Sequence, residues 1–312
     1  MIPRKFKTTQ GSHIPIVAPS FKNIIYIFTS LKCTKYKILN ILGLQVIRYF
    51  LAKLIHKINI IKFKGDKIYE DYDNLGYHVI HDVLSDEDLD KLRIEFDEII
   101  KKKSINLFSK ESKLHDNKDD PRLQNLSVEM FAHEFKFDDE EKKQFPEMYK
   151  LYSSKFINES FYFAEKKKYP KITMRVQRTI QNDSDGNEFN SLWHMDTFHD
   201  THKGFLYLTE VKKENGPFNI LEGSHKISLR HIFMEYINSI KFAFNKSTVS
   251  FRLDDKASNF PKDKKKEIIC KPNTFVIANT HAFHRRGCAT KGNSRDAIEF
   301  WTRENPFKLK PS

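Results

Sequence analysis

Short apolar segments, separated by glycine, asparagine and proline, constrain the fold of the C-terminal half of this chain most strongly. GFLYLTEV, NTFVIANT and RDAIEFWT each have the length and the β-branched and aromatic content of a strand. Turn-forming stretches such as ENGPF separate them. Closely spaced short strands are typical of a barrel or sandwich, and not of a doubly wound sheet. No GxGxxG or GxxxxGK[ST] motif supports a nucleotide-binding fold.

Helices are predicted ahead of these strands. A short strand at 77–80 is followed by Ser85 and three acidic residues, a pattern that predicts the start of a helix. A further helical stretch is predicted at about 138–166, before a strand at 171–180. The polar segment 104–125 between the helical regions is predicted to be a solvated loop, which could also form a lid. The sequence therefore predicts a β-rich α+β fold with helices that flank the sheets.

The formal net charge of +13 is concentrated at the N-terminus of the 312-residue chain. Residues 1–65 contain twelve lysines and arginines and no acidic residue, so the rest of the chain is close to neutral. Without a basic region in the body of the protein, nucleic acid is not an expected partner. The three cysteines form no CxxC pair, which predicts reduced thiols in a cytoplasmic protein.

The basic N-terminal extension, residues 1–66, is predicted to be distinct from a domain at 67–312. Within 21–64 the longest uncharged stretch has ten residues, about half of what a membrane-spanning helix needs. Three interpretations stay open: contact of residues 1–65 with an anionic membrane surface, packing on the domain with the lysines in solvent, or a transit peptide. An amphipathic helix is predicted from apolar residues spaced by three and four, namely Phe50, Leu51, Leu54, Ile55, Ile58 and Ile61, with Arg48, Lys53, His56 and Lys57 opposite.

Four residues near the C-terminal end form a pattern typical of a metal site. His194 and Asp196 of WHMD point to the same side if this segment is a strand. A second histidine, either His281 or His284, follows the strand NTFVIANT. Two histidines and a carboxylate on one face of a metal leave other positions open, as in non-haem Fe(II) oxygenases. Arg295 then offers a planar guanidinium that suits a carboxylate ligand.

Residues 77–301 resemble the phytanoyl-CoA dioxygenase (PhyH-like) family of Fe(II)/2-oxoglutarate-dependent oxygenases. The similar segments are GYHVIHDVLSDEDLDKL, WHMD, FLYLTEVKKENGPFNILEGSHK and HRRGCATKGNSRDAI, in this order along the chain. The resemblance implies a double-stranded β-helix (jelly-roll, cupin-like) core flanked by helices. Two positions depart from the family pattern: Met195 replaces a common glutamine, and Glu222 replaces the usual proline before GSH.

The resemblance also implies roles for the four residues. His194, Asp196 and His284 would ligate iron, and Arg295 would pair with the distal carboxylate of 2-oxoglutarate. The implied cofactors are Fe(II), 2-oxoglutarate and dioxygen. The implied reaction hydroxylates an unactivated C–H bond of a small-molecule or lipid-like substrate and converts 2-oxoglutarate to succinate and CO2. The carboxylate of Asp196 favours hydroxylation, or another oxidative outcome, over halogenation, because related halogenases lack it.

Two further residues are candidates for ligand binding, and two other functions are compatible with the sequence. Gln177 and Arg175 share one face of the strand at 171–180 and could help to bind the co-substrate or the substrate. His199, His202 and His225 lack a matching strand position and are predicted to lie in loops. The same fold could also serve as a non-catalytic binding or scaffolding protein. A metal-dependent isomerase or hydrolase of the cupin type would not need Arg295.

Overall fold

The computed structural model describes residues 27–29, 33–34, 36–62, 70–107, 128–167, 170–182, 191–244, 252–253, 259–303 and 305–307. Most of the N-terminal extension before residue 36, and most of the predicted loop or lid at 104–125, lie outside these residues. Among the helices of the described part, none has both the length and the apolar character needed to cross a membrane.

The described elements alternate helical and extended regions along the chain. The helices are α1 (Lys37–Ile41), α2 (Leu44–Lys62), α3 (Glu70–Leu75), α4 (Asp86–Lys102), α5 (Asp139–Gln144), α6 (Pro146–Ser153), α7 (Lys155–Glu165) and α8 (Leu229–Ala243). The strands are β1 (Tyr77–Ile80), β2 (Ile105–Asn106), β3 (Val128–Glu134), β4 (Thr173–Gln181), β5 (Trp193–His194), β6 (His202–Tyr207), β7 (Phe218–Leu221), β8 (Arg252–Leu253), β9 (Lys265–Ile268), β10 (Thr274–Asn279), β11 (His284–Arg286) and β12 (Ser294–Thr302).

Two antiparallel sheets form the core. The larger sheet has the order β1-β10-β6-β12-β4-β3-β2, and the smaller has the order β8-β5-β11-β7-β9. Side chains from both sheets form one buried cluster, in which Tyr207 and Val276 of the larger sheet join Phe218 and Ile220 of the smaller. Two antiparallel sheets that share such a core are typical of a jelly-roll. The predicted fold class, with a β-rich core and flanking helices, is confirmed.

Helices cover the outer face of the larger sheet. Ser85 accepts a hydrogen bond from the Asp88 backbone N–H and begins α4, as the sequence predicts. The apolar stripe of α4, which includes Phe96, packs in one cluster with Val176 of β4 and Phe161 of α7. The predicted helical stretch at 138–166 is divided into three helices. The division occurs because a proline begins α6 and a serine caps α7.

The predicted amphipathic helix is α2, but its orientation reverses the usual relation between polarity and burial. Its polar residues Gln45, Arg48 and Lys53 are buried, whereas Ile47 and Leu54 are exposed. The helix packs beside α8 of the C-terminal region. The described part of the extension, in α1 and α2, therefore packs on the rest of the chain, as one interpretation expected, but Lys53 is not in solvent. The domain boundary at residues 66 and 67 stays a prediction.

Candidate metal centre

Two short antiparallel strands of the smaller sheet place His194 and His284 face to face. The two residues are direct partners in the register of β5 and β11, and their ring centroids are 4.4 Å apart. The chain continues from β5 to Asp196, whose backbone N–H donates to the Thr280 carbonyl at 3.0 Å. This bond ties the segment after β5 to the end of β10. The pairing therefore brings together three residues that the sequence predicts as metal ligands.

The ligand atoms of the three side chains converge. The Nε2 atoms of His194 and His284 lie 3.8 and 3.7 Å from Asp196 Oδ1. Each Nδ1 lies within hydrogen-bond distance of a backbone carbonyl, at 2.8 Å for Leu192 and 2.9 Å for Ala282. Since a carbonyl only accepts, each Nδ1 carries the proton and each Nε2 presents a lone pair. The tautomers are thus already those that bind a metal through Nε2.

The charges of the group also suit a divalent cation. Burial lowers the pKa of His194 well below its usual value, and it lowers the pKa of His284 to about 4. Both imidazoles are therefore neutral at pH 7. Burial alone would raise the pKa of Asp196, but the positive charge of Lys203, with a smaller contribution from Arg303, holds it well below its usual value. One anionic and two neutral ligand atoms, all within 4.8 Å of one another, can hold a metal ion.

His281, the other candidate for the distal ligand, lies in a different environment. Its Nδ1 lies 3.0 Å from the Thr197 carbonyl. Its ring centroid lies 5.6 Å from that of Tyr49 in α2 and 5.4 Å from that of His231 in α8. His281 lies in the turn after β10, whereas His284 is the first residue of β11. The structure thus groups His284, and not His281, with the other two candidates.

Of the three further histidines predicted to lie in loops, His199 and His225 do so, whereas His202 does not. His202 is the first residue of β6, and its ring is 1% exposed. His199 does lie in a loop but is also buried, and burial lowers its pKa to about 4. Burial also lowers the pKa of His225 to about 4. The described residues of α2 pack over this region, a tertiary contact that strand parity does not reveal.

Lys203 is the residue beside the metal centre that the sequence analysis missed. Its Nζ lies 2.8 Å from Asp196 Oδ2 and 3.8 Å from Glu299 Oε1. Glu299 also forms an ion pair with Arg175, and the Arg175 guanidinium lies 5.2 Å from the Trp301 ring centroid. Arg175 is therefore already neutralised by a carboxylate. The alternation of HKGFLY, which turns Lys203 and Phe205 to one side, was the signal that could have found this residue.

Arg295 is a buried cation without an acidic partner among the described residues. It is 9% exposed, donates to the Gly216 carbonyl and lies 5.8 Å from the ring centroid of Tyr207. The two acids near it in sequence bind other arginines: Asp296 pairs with Arg178, and Glu299 with Arg175. A buried charge without a counterion is strongly destabilising. This position therefore favours a ligand that brings a carboxylate.

Unpaired polar atoms accompany Arg295 on the inner face of the larger sheet. Gln177 of β4 and Tyr207 of β6 flank Ala297 of β12, because Ala297 is the direct partner of both. Tyr207 Oη and Gln177 Oε1 are buried and have no hydrogen-bond partner among the described residues. We call Arg295, Tyr207, Gln177 and the adjacent Thr179 the polar cradle; its atoms suit a polar anionic ligand such as 2-oxoglutarate.

Aromatic side chains connect the polar cradle to the metal centre. Phe218 lies between them: its ring centroid is 5.6 Å from that of His284 and 5.4 Å from that of Phe205. Phe205 in turn stacks on Tyr207 with a centroid distance of 6.2 Å. A ligand that joins the two sites would therefore lie along an apolar wall that excludes water.

The comparison with protein families agrees with this arrangement. The model of the phytanoyl-CoA dioxygenase (PhyH) family matches residues 72–285. The chain belongs to this family. PhyH enzymes are iron- and 2-oxoglutarate-dependent oxidoreductases that use dioxygen, so the predicted cofactors are confirmed. The matched region begins after α2, which is therefore an addition to the part of the chain that defines a PhyH protein.

Solved structures with a similar fold include those of the proteins SnoN, HygX and AviO1. The epimerase SnoN from nogalamycin biosynthesis, in complex with Fe3+, alpha ketoglutarate and nogalamycin RO, is 12% identical, with a TM-score of 0.49 over 75% of this chain and 81% of SnoN. HygX from Streptomyces hygroscopicus, with nickel and 2-oxoglutarate bound, is 14% identical, with a TM-score of 0.46 over 76% of this chain and 86% of HygX. AviO1 from Streptomyces viridochromogenes Tue57 is 14% identical, with a TM-score of 0.46 over 78% of this chain and 96% of AviO1. No curated protein matches the chain.

Proposed function

We propose that this PhyH protein holds Fe(II) with His194, Asp196 and His284 and binds the distal carboxylate of 2-oxoglutarate with Arg295. The observation that carries the proposal is the convergence of the three ligand atoms within 4.8 Å, with both imidazoles already in the required tautomer. The Arg295 guanidinium, which is buried and has no acidic partner among the described residues, supports the second assignment.

The side chains around the site would each have a definite task. Lys203 binds Asp196 Oδ2 and leaves Oδ1 directed toward the two histidines, so the carboxylate would bind the metal through one oxygen. Three protein ligands leave the remaining coordination positions open for the co-substrate and dioxygen. The polar cradle would orient 2-oxoglutarate, and the apolar wall formed by Phe218 and Phe205 would exclude water. The bound iron and 2-oxoglutarate supply the oxidising chemistry, which the protein itself does not provide.

The reaction we propose is hydroxylation of an unactivated C–H bond, with conversion of 2-oxoglutarate to succinate and CO2. The carboxylate of Asp196 supports hydroxylation rather than halogenation, because it occupies the position that a halide would need. The proposed substrate is a small molecule or a lipid-like molecule. We also propose that the protein attaches peripherally to an anionic membrane. The basic extension supports this attachment, since it carries no acidic residue before position 66.

An anaerobic titration tests the proposed metal site without knowledge of the substrate. Addition of Fe(II) and 2-oxoglutarate to the purified protein is expected to produce the weak visible charge-transfer band of the chelate. Asp196→Ala is expected to abolish the band, because it removes the anionic ligand. Asp263→Ala, which changes an aspartate outside the site, is the matched control and is expected to retain it. A folded wild-type protein that binds Fe(II) but shows no band with 2-oxoglutarate would contradict the proposal.

Lys203→Met is expected to weaken Fe(II) binding by about 10- to 100-fold, the usual cost when a residue that orients a metal ligand is lost. The substitution keeps an unbranched side chain, one atom shorter, but releases Asp196 Oδ2 from its ion pair. Fe(II) affinity, measured by competition with a chromophoric chelator, checks the prediction. Lys212→Met is the control, since that lysine is exposed and pairs with Glu210. Equal affinity in the two variants would mean that Lys203 does not orient Asp196.

A further inference from the structure

An exposed apolar surface lies on the side of the protein formed by α1, α2 and α8. Leu229 is 85% exposed, Leu42 is 73% exposed and Phe233 is 65% exposed. Exposed apolar groups of this size and number on one side of a protein mark an interaction surface. We call this surface the apolar face; its other large members are Ile38, Ile41, Ile47, Phe50, Leu54, Ile58, Ile227 and Phe244.

The apolar face is continuous between the N-terminal extension and the catalytic domain. Ile41, Leu42 and Ile47 line one side of an open groove, and Leu229 and Phe233 of α8 line the other. The groove has a volume of about 490 Å³. A partner on this surface would therefore contact the extension and the domain at the same time.

Buried polar contacts hold the apolar side of α2 outward. Lys53 donates to Asp200 at 2.8 Å and to the His225 carbonyl at 2.8 Å. Gln45 donates to Glu235 of α8 at 3.0 Å, and Arg48 donates to Gln45 at 2.9 Å. A rotation of α2 that buried its apolar side would break these contacts and leave charged groups unpaired in the interior. The exposure of the apolar side is therefore fixed by the packing of the helix.

The charge of the surrounding elements selects the kind of partner. Exposed cations accompany the apolar face, namely Lys37, Lys57, Lys226, Arg230 and Lys241. Glu235 is the one acidic residue in the described parts of α1, α2 and α8, and it is buried. A second copy of the chain on this face would bring like charges together, which opposes self-association. An anionic surface would be complementary.

We propose that the apolar face docks on the surface of an anionic phospholipid bilayer. The apolar side chains would enter the boundary between headgroups and acyl chains, and the flanking cations would contact anionic headgroups. The proposal rests on the peripheral attachment proposed above and extends it, because it assigns part of the contact to α8 of the catalytic domain. It does not depend on the iron chemistry.

Vesicle flotation of the full-length protein tests this assignment. The protein is mixed with vesicles of phosphatidylcholine alone or of phosphatidylcholine and phosphatidylserine. Wild-type protein is expected to float with the anionic vesicles, and less so as salt is added. The double variant Leu229→Glu/Phe233→Glu is expected to bind the anionic vesicles more weakly than wild type, by a factor on the order of ten or greater. Ile94→Glu is the matched control, since Ile94 is 69% exposed on α4, and it is expected to bind like wild type.

Two additional readouts keep the test decisive. The Fe(II)/2-oxoglutarate band is expected to be the same in the double variant and in wild type, which shows that the variant is folded and separates this proposal from that of the metal site. Equal vesicle binding by the double variant and wild type would overturn the proposal. So would wild-type protein that fails to float with anionic vesicles, or that forms a dimer which the double variant abolishes.

Discussion

Arg295→Ala is expected to weaken binding of 2-oxoglutarate by about 10²-fold or more, while Fe(II) binding stays unchanged. The guanidinium is buried and lacks an acidic partner in the part of the chain that the structure describes, so a bound carboxylate would be its counterion in a site of low dielectric constant. Loss of one member of a buried, hydrogen-bonded charge pair costs about 2–5 kcal/mol. The dissociation constant for 2-oxoglutarate, obtained from the charge-transfer band under anaerobic conditions, measures the effect directly.

Two further variants show whether the effect is specific. Arg295→Lys is expected to bind 2-oxoglutarate with intermediate affinity, because it keeps the charge but loses the two parallel donors of the guanidinium. Arg230→Ala, at an exposed position on α8, is expected to behave like wild type. If Arg295→Ala bound 2-oxoglutarate as tightly as wild type, the distal carboxylate would lie elsewhere, and the polar cradle would have another ligand.

Lys53→Met is expected to lower the free energy of unfolding by about 3–5 kcal/mol, the usual cost when one partner of a buried ion pair is removed. Lys53 and Asp200 have side chains that are 7% and 6% exposed, and their closest atoms are 2.8 Å apart. Without the lysine, Asp200 keeps the hydrogen bond from Asn279 at 2.6 Å but has lost its paired cation. Chemical denaturation of Lys53→Met beside Lys57→Met, which changes an exposed lysine of the same helix, measures the difference.

The loss of unfolding free energy in Lys53→Met, relative to wild type, should become smaller as the pH falls. In wild type, burial would raise the pKa of Asp200, but Lys53 holds it well below its usual value. In the variant burial dominates, so the pKa of folded Asp200 rises above its unfolded value and stability falls as the pH rises. The deficit relative to wild type should therefore shrink between pH 7 and about pH 5. A deficit that did not change with pH would mean that Asp200 is not left as an uncompensated charge.

The sequence predicts the fold and the candidate metal site because both depend on local patterns. The strands at β1, β10 and β12 follow from apolar content and turn residues, and the spacing of His194 and Asp196 follows from strand alternation. Other elements were missed for the same reason: α8 and the strand β3, which lies beside the edge strand β2, have no equally clear local signal. The choice between His281 and His284 depends on where the three-residue β11 begins, which composition does not reveal.

The orientation of α2 could not be predicted from its own sequence. Hydropathy assigns the apolar side of an amphipathic helix to the interior. Here the domain offers buried acids, Asp200 and Glu235, to the surface that the helix covers. Polar residues of the helix satisfy them, and the apolar side turns outward. Lys203 escaped notice for a similar reason, because its contact with Asp196 depends on how the two sheets face each other.

The Lys53–Asp200 pair has a consequence for how this chain can change over generations. The two residues are 147 positions apart, one in a helix that precedes the family's matched region and one inside that region. Either substitution alone leaves an uncompensated charge in the interior, whereas loss of both together does not. Substitutions at the two positions are therefore expected to occur together rather than singly.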